Sequence, residues 1–438
     1  MKQILLSLSL ALPLTGVFAA DTELQSSIAK DYQSSLAPLF DQFHRNPELS
    51  LMEVKTAARL AQELRSAGFQ VTEGVGKTGV VAILKNGPGP LVMMRADMDG
   101  LPVEEKSGLP NASKVHMTDP NGNDVSVAHA CGHDVHMTSL VGTAHQMMAR
   151  RGEWSGTLML IGQPAEERVL GAKNMMQDDL WKRFGKPDYA LALHVIAGLE
   201  AGKMVVEEAP WSGIDTVQII VHGVGSHGAA PSMGKDPIVL GAQIVLALQE
   251  IISRERNPYS PAVITVGAFH AGTKPNIIGD SAKLDLTVRS EDPETRDMLL
   301  KAITRVTLNT ARAYGIEESM LPEVKAMDLP AQPTLNDEAL RQRMISLWTN
   351  KLGSGVFSTS FRKEMMGAED FNSFTSDPYI PSVYYKVGGT PVAELTAAKK
   401  NGTRIPGNHS PLFKVDSETA IKMGVQTTVI ALMDLLKK

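Results

Sequence analysis

The run Thr157-Leu-Met-Leu-Ile-Gly-Gln-Pro-Ala-Glu-Glu167 passes from unbroken apolar residues straight into two adjacent carboxylates. A short apolar run without polar alternation reads as a strand buried on both faces, the habit of parallel strands covered by helices. Working outward, Gly79-Val-Val-Ala-Ile-Leu84, Leu91-Val-Met-Met-Arg-Ala-Asp97 and Tyr189-Ala-Leu-Ala-Leu-His194 read the same way. The first two are split by the turn Asn86-Gly-Pro-Gly-Pro90. Helices are expected over Asp21–His44, Leu51–Ala67 and His136–Arg150. Helices alternating with buried strands predict an α/β domain with a central, mostly parallel sheet.

Near residue 212 the rhythm changes. A strand at Thr216–His222, a helix at Asp236–Arg254, strands at Ala262–Phe269 and Ser281–Val288, a helix at Pro293–Tyr314 and a strand at Met320–Ala326 follow. That order, βαββαβ, is the ferredoxin-like split unit, which closes on itself. Residues 212–326 are therefore expected as an inserted ferredoxin-like domain, with 21–211 and 327–438 as two halves of the larger one. Gly353–Phe357 and Ser382–Val387 as strands, and Ser417–Leu436 as a helix, would complete the large sheet and its cover.

The chain has 438 residues, with 43 Lys+Arg against 48 Asp+Glu and a formal charge of −5. This leaves no basic footprint for nucleic acid or an anionic membrane. A single cysteine excludes an intrachain disulfide framework. Met1-Lys2, the apolar run Ile4–Leu14 and the small residues before Asp21 form the layout of a signal peptide over residues 1–20. The run is too short for a membrane anchor. The expected location is outside the cytoplasm, periplasmic or secreted. A lone thiol in an oxidising compartment needs protection, and metal ligation is one answer.

The chemistry gathers at strand ends. His129-Ala-Cys-Gly-His-Asp-Val-His136 holds three imidazoles and the only thiol. Cys131 and His133, with glycine between them, can reach one metal ion. Asp134 is expected to fix the tautomer of a histidine. A nucleophilic Cys131 is the alternative. Glu166 and Glu167 follow a buried strand, at the sheet edge where α/β proteins place ligands. On extended backbone they point in different directions, so one can ligate while the other stays free as a base. His194 closes another strand, and His409 lies in the polar turn Gly407-Asn-His-Ser-Pro411. Asp97 and Asp99, two apart on a strand, share a face. The methionine pairs, such as Met93-Met94 and Met147-Met148, read as core filler.

In chain order the sequence carries His44-Arg-Asn-Pro-Glu48, Arg95-Ala-Asp-Met-Asp-Gly-Leu-Pro102, His129-Ala-Cys-Gly-His-Asp134, Gln163-Pro-Ala-Glu-Glu167 and Leu193-His194. Gly223-Val-Gly-Ser-His227, Asp236-Pro-Ile238, Gly367-Ala-Glu-Asp-Phe371 and Asn408-His-Ser-Pro411 follow. On these signatures, spanning residues 44 to 411, it resembles the M20 metallopeptidase family. The likeness is to its amidohydrolase branch of hippurate hydrolases, N-acyl-amino-acid amidohydrolases and auxin-conjugate hydrolases. The resemblance implies two divalent metal ions bridged by Cys131, with His133, Glu167, His194 and His409 as the other ligands. Zinc or manganese comes first, with cobalt or nickel as further options. It implies Glu166 as general base on a metal-activated water, with Asp97 or Asp99 supporting the metal centre. His227 would reach from the lid to the oxyanion, in the same chain or across a homodimer formed through the lid. Asn276 and Arg289 would hold the substrate carboxylate.

The implied activity is an exported metal-dependent amidohydrolase of N-acyl amino acids, with a dipeptidase or carboxypeptidase as the alternative. Lid hinges are expected near Pro210–Gly213 and Met327–Pro330. Three departures from the family pattern, Arg168-Val-Leu-Gly171 after the glutamates, Gly223-Val-Gly-Ser-His227 without a lysine-glycine pair and the long segment Pro110–Ala128, bear on substrate identity more than on metal binding.

Overall fold

The computed structural model describes residues 15–327 and 331–438, with side chains from Thr22 onward. Residues 1–14 of the expected signal peptide and 328–330 of the expected second hinge lie outside the described residues. The strands in chain order are β1 (Gln70–Val75), β2 (Gly79–Asn86), β3 (Leu91–Asp97), β4 (Val115–Thr118), β5 (Asp124–Val127), β6 (Gly156–Gln163), β7 (Tyr189–Glu200) and β8 (Met204–Val205). They continue with β9 (Gly213–His222), β10 (Ser226–His227), β11 (Ala262–Ala271), β12 (Ile277–Ile278), β13 (Ser281–Ser290), β14 (Glu323–Ala326) and β15 (Ser382–Thr390).

Seven strands form one sheet in the order β1-β2-β6-β3-β7-β15-β8. Its centre, β6-β3-β7-β15, is parallel, while β1, β2 and β8 pair antiparallel at the two edges. The apolar runs explain the arrangement, because every residue of β15 and nearly every residue of β6 is buried. One face packs on the helices His133–Ala149 and Ser417–Leu435 with Trp154 and Trp348, and the other, including Tyr384, on Met175, Phe371 and Phe374. The parallel centre brings the C-terminal ends of β3, β6 and β7 side by side, so residues leaving those ends meet.

A second, wholly antiparallel sheet runs β11-β13-β9-β14. The helices Pro237–Glu250 and Pro293–Tyr314 pack on it in βαββαβ order. Asp-Pro pairs start both helices: Asp236 and Asp292 accept backbone N–H groups of the first turn, and proline takes the first helical position. Val217, Ile219, Leu240, Ile244, Leu284 and Leu299 belong to a core separate from those of the large sheet.

Two local expectations change, and some strands carried no signal. Gly353–Phe357 is a 3-10 turn at Ser354–Val356 rather than a strand, since Gly353 leaves the preceding helix at φ 81° and only Phe357 bridges Met204. The helix expected over Asp21–His44 is interrupted by a π turn at Tyr32–Leu36. The polar strand β1 and the β4–β5 hairpin carry no apolar run that would have marked them.

Candidate metal centre

β3 delivers Asp97, with Asp99 two residues on, β6 runs into Pro164, and β7 carries His194. Ala165 adopts a left-handed φ of 49°, and its N–H donates to Glu53 Oε1 at 2.8 Å. This bend starts a 3-10 turn, Glu166–Arg168, so the two glutamates do not sit on extended backbone as the sequence suggested. Asp99 fixes that turn by accepting the N–H of Glu166 and of Glu167, each at 3.1 Å, and the Ser50 hydroxyl at 2.6 Å. Gly132, at φ 89°, opens the helix His133–Ala149. A Cβ there would lie 2.4 Å from Val195 Cγ1, so only glycine lets this turn press on β7. His409 stands in its turn at φ 70°, and its N–H donates to Ala130 O at 2.7 Å.

These elements bring the five residues expected as ligands together. Cys131 Sγ lies 3.3 Å from His409 Nε2 and 3.4 Å from His194 Nε2. Glu167 Oε2 is 3.3 Å from His409 Nε2, and Glu167 Oε1 is 3.8 Å from His133 Nε2. His194 Nδ1 donates to Val195 O at 2.7 Å, which leaves the Nε2 lone pair facing the thiol. His133 Nδ1 lies 3.4 Å from Asp99 Oδ1, while Nε2 lies 3.7 Å from Asp97 Oδ2 and 3.8 Å from Glu166 Oε2. Asp97 and Asp99 thus address opposite nitrogens of one ring. His409 is exposed, so the cluster opens to solvent on that side.

The residues fit a metal pair. Both ring nitrogens of His133 and Oε1 of Glu167 are buried without a hydrogen-bond partner. Each such atom costs about 1–3 kcal/mol if nothing satisfies it. Cys131, Glu167 and His409 offer one donor set, and His133 and His194 beside Asp97 offer another, with ligand atoms within 4.8 Å. Thiolate, imidazole and carboxylate together suit zinc and its neighbours.

The charges are crowded. Burial, with Glu369 and Glu167 close by, pushes the Glu166 carboxyl well above its ordinary range. Burial, with Glu167 and Glu166, likewise pushes the Cys131 thiol up. Burial pulls His133 down, but Asp97 and Asp99 outweigh it and hold the imidazole at about 10. A divalent cation among these groups would favour the thiolate, the neutral imidazoles and the ionised carboxylates instead.

Sequence reasoning missed the supports. His136 Nδ1 lies 2.5 Å from Asp97 Oδ1, and its Nε2 accepts the Val195 N–H at 2.8 Å. With both nitrogens used, it braces Val195, whose carbonyl orients His194, and is not itself free to ligate. Its spacing of three from His133 on a helix was the available signal. Arg95, fully buried, donates to Asp97 Oδ2, Glu369 Oε1 and Gln163 Oε1, each at 2.7 Å. Asp134 does fix a histidine, but that histidine is His44, at 2.6 Å, and not an expected ligand.

The remaining three expected residues lie elsewhere. His227 is exposed on β10, and Asn276 is its neighbour, accepting the Gly228 N–H at 2.9 Å. No contact joins either to the cluster among the described residues. Arg289, half-buried on β13, donates to Met366 O at 2.9 Å and pairs with no carboxylate among the described residues.

The fold and this buried thiol–imidazole–carboxylate cluster define a metallohydrolase, and residues 93–401 match peptidase family M20/M25/M40. The chain belongs to that family, in its amidohydrolase branch, and is a hydrolase of amide bonds. It is 34% identical over 400 residues to thermostable carboxypeptidase 2 of Saccharolobus solfataricus, covering 90% of this chain and 94% of that protein. It is 36% identical over 350 residues to the hippurate hydrolase of Campylobacter jejuni, covering 78% and 86%. Among solved structures it matches the Bacillus subtilis YXEP protein, a dinuclear metal binding peptidase from the M20 family. That match has a TM-score of 0.74 at 28% identity and covers 93% of this chain and 99% of the other.

Proposed function

We propose that this hydrolase is exported and cleaves the amide bond of N-acyl amino acids, with residues 21–211 and 327–438 as its catalytic domain and 212–326 as a lid. The observation that carries the chemistry is Glu166 held beside the Cys131–His133–Glu167–His194–His409 cluster with a raised proton affinity. Two divalent ions, zinc or manganese, would be held by those five residues and would supply Lewis acidity toward a carbonyl and a water. Glu166 takes the proton of the attacking water and returns it to the leaving amine. Asp99 keeps Glu166 aimed through its backbone N–H, and Asp97, braced by Arg95 and His136, stabilises the imidazole side. Arg289 offers a guanidinium without a carboxylate partner, suited to the substrate carboxylate.

His227 and Asn276 act across a homodimer in this reading. Its support is the open edge of the small sheet, with exposed apolar side chains on it and on the helix beside it. Val239 and Leu246 on the helix Pro237–Glu250, and Val263 and Phe269 on the edge strand β11, are all exposed. An open strand edge beside exposed apolar side chains is a pairing surface.

A dipeptidase or carboxypeptidase activity is the second reading, favoured by the likeness to thermostable carboxypeptidase 2. Metal content of the purified mature protein, with hydrolysis of N-acetyl amino acids, hippurate and dipeptides before and after chelation, tests both. About two metal equivalents and chelator-sensitive release of an amino acid from the acylated substrates is the expected result. Release from dipeptides alone selects the second reading. Turnover indifferent to chelation would overturn both and move Cys131 forward as a nucleophile.

A further inference from the structure

We propose that His44 is a positioning residue of the metal centre, clamping the turn that carries Cys131 and His133 to the segment that carries His409. The inference rests on the metal-dependent reading above. His44 ends the helix Ala37–Arg45 and is 7% exposed. Its Nδ1 lies 2.6 Å from Asp134 Oδ2, and its Nε2 lies 3.3 Å from Glu105 Oε1. A carboxylate can only accept, so satisfying both contacts requires both ring nitrogens to donate.

Each carboxylate leads to a different ligand. Asp134 follows His133 directly, and its other oxygen accepts the Val135 N–H at 2.9 Å, locking the first turn of that helix. Glu105 is held by the Ser113 N–H at 2.7 Å and by the Ser107 hydroxyl. The next residue, Lys106, donates its N–H to Pro411 O at 2.6 Å, two residues beyond His409. The path from His133 through Asp134, His44 and Glu105 to the His409 turn is therefore a closed set of short polar contacts. The His409 N–H to Ala130 O bond completes the ring on the other side.

His44 itself has little room to move. The Phe40 ring stacks on His44 with centroids 5.4 Å apart. A cavity of about 10 Å³ bounded by His44, Glu105, His129, Ser410 and Phe413 holds a water at most. Buried carboxylates are costly unless paired, and an apolar residue at position 44 would leave two of them stranded. A residue that merely filled core would need neither.

The test titrates Zn²⁺ into the chelator-stripped full chain for wild type, His44→Gln, Glu105→Gln and the double variant, alongside thermal unfolding of each stripped protein. The clamp predicts that one of the two zinc equivalents binds about 10- to 100-fold more weakly in each single variant. It also predicts that the double variant is no worse than the singles, since the two residues act as one unit. Wild-type affinity for both equivalents with only a lowered Tm would overturn it, leaving a structural role. Should His44→Gln fail to fold, Glu105→Gln decides alone, because Glu105 lies on a loop outside the helices and strands of the core. A wild-type protein that takes up no zinc overturns the metal reading, and the clamp with it.

Discussion

Cys131 Sγ stands 3.3 Å from His409 Nε2, although 278 positions separate them in the chain. His194 approaches the same sulfur at 3.4 Å from a different strand. Replacing the sulfur therefore removes the one donor that both histidines face. Cys131→Ser is expected to lower metal affinity by about 100-fold or more, since even outer partners of such sites are worth about 10- to 100-fold. Metal content after dialysis checks this. Full metal content with turnover abolished would instead point to a nucleophilic thiol.

Glu166 lies 3.8 Å from His133 Nε2, beyond hydrogen-bond reach, so its charge can be removed without dismantling the ligand set. Glu166→Gln is expected to cut turnover by about 10²- to 10⁴-fold, the usual worth of a positioned acid–base group. Metal stoichiometry should stay at the wild-type value. Steady-state kinetics paired with metal analysis gives the answer, and retained turnover would remove Glu166 from the role of base.

Much of this centre was legible because it is dense in the chain. Cys131 and His133 share one turn, Glu166 and Glu167 are adjacent, and the two glutamates directly follow an apolar run that reads as a buried strand. The supports were not legible, because burial and not sequence proximity assembles them. Arg95 reaches Glu369 across 274 positions, and a lone arginine inside an apolar strand gives no hint of its partner. His44 read only as the end of a helix, since its two carboxylates lie 90 and 61 positions away. Glu166–Glu167 read as extended because the left-handed bend at Ala165 is imposed by Glu53, from outside the segment.

The buried pairings of His44 make stability depend on pH. Burial pulls this imidazole down, but Asp134 and Glu105 outweigh it and hold it at about 10. An unfolded histidine titrates near ~6.5, so the native state keeps a proton that the unfolded chain releases between those values. The contribution is fully present below pH ~6.5 and is lost as pH rises through the native value. His44→Gln lacks it at every pH. The gap in urea midpoint between wild type and His44→Gln should thus be widest near pH ~6 and close toward pH ~10. A gap that does not vary with pH would contradict the paired imidazolium.

His227 is exposed, sits beside Asn276, and makes no contact with the ligand cluster of its own chain among the described residues. Two inactive variants can therefore complement each other if it serves a partner's site. Glu166→Gln keeps a working His227, and His227→Ala keeps a working Glu166. In a mixed dimer the first subunit lends His227 to the second, restoring one site of two. Random mixing makes about half the dimers mixed, so about a quarter of wild-type activity should return in a two-fold symmetric assembly. Refolding or co-expressing the two variants together, against each alone, measures it. Recovery absent from the mixture, while both variants still dimerise in sedimentation, would place the action of His227 within its own chain.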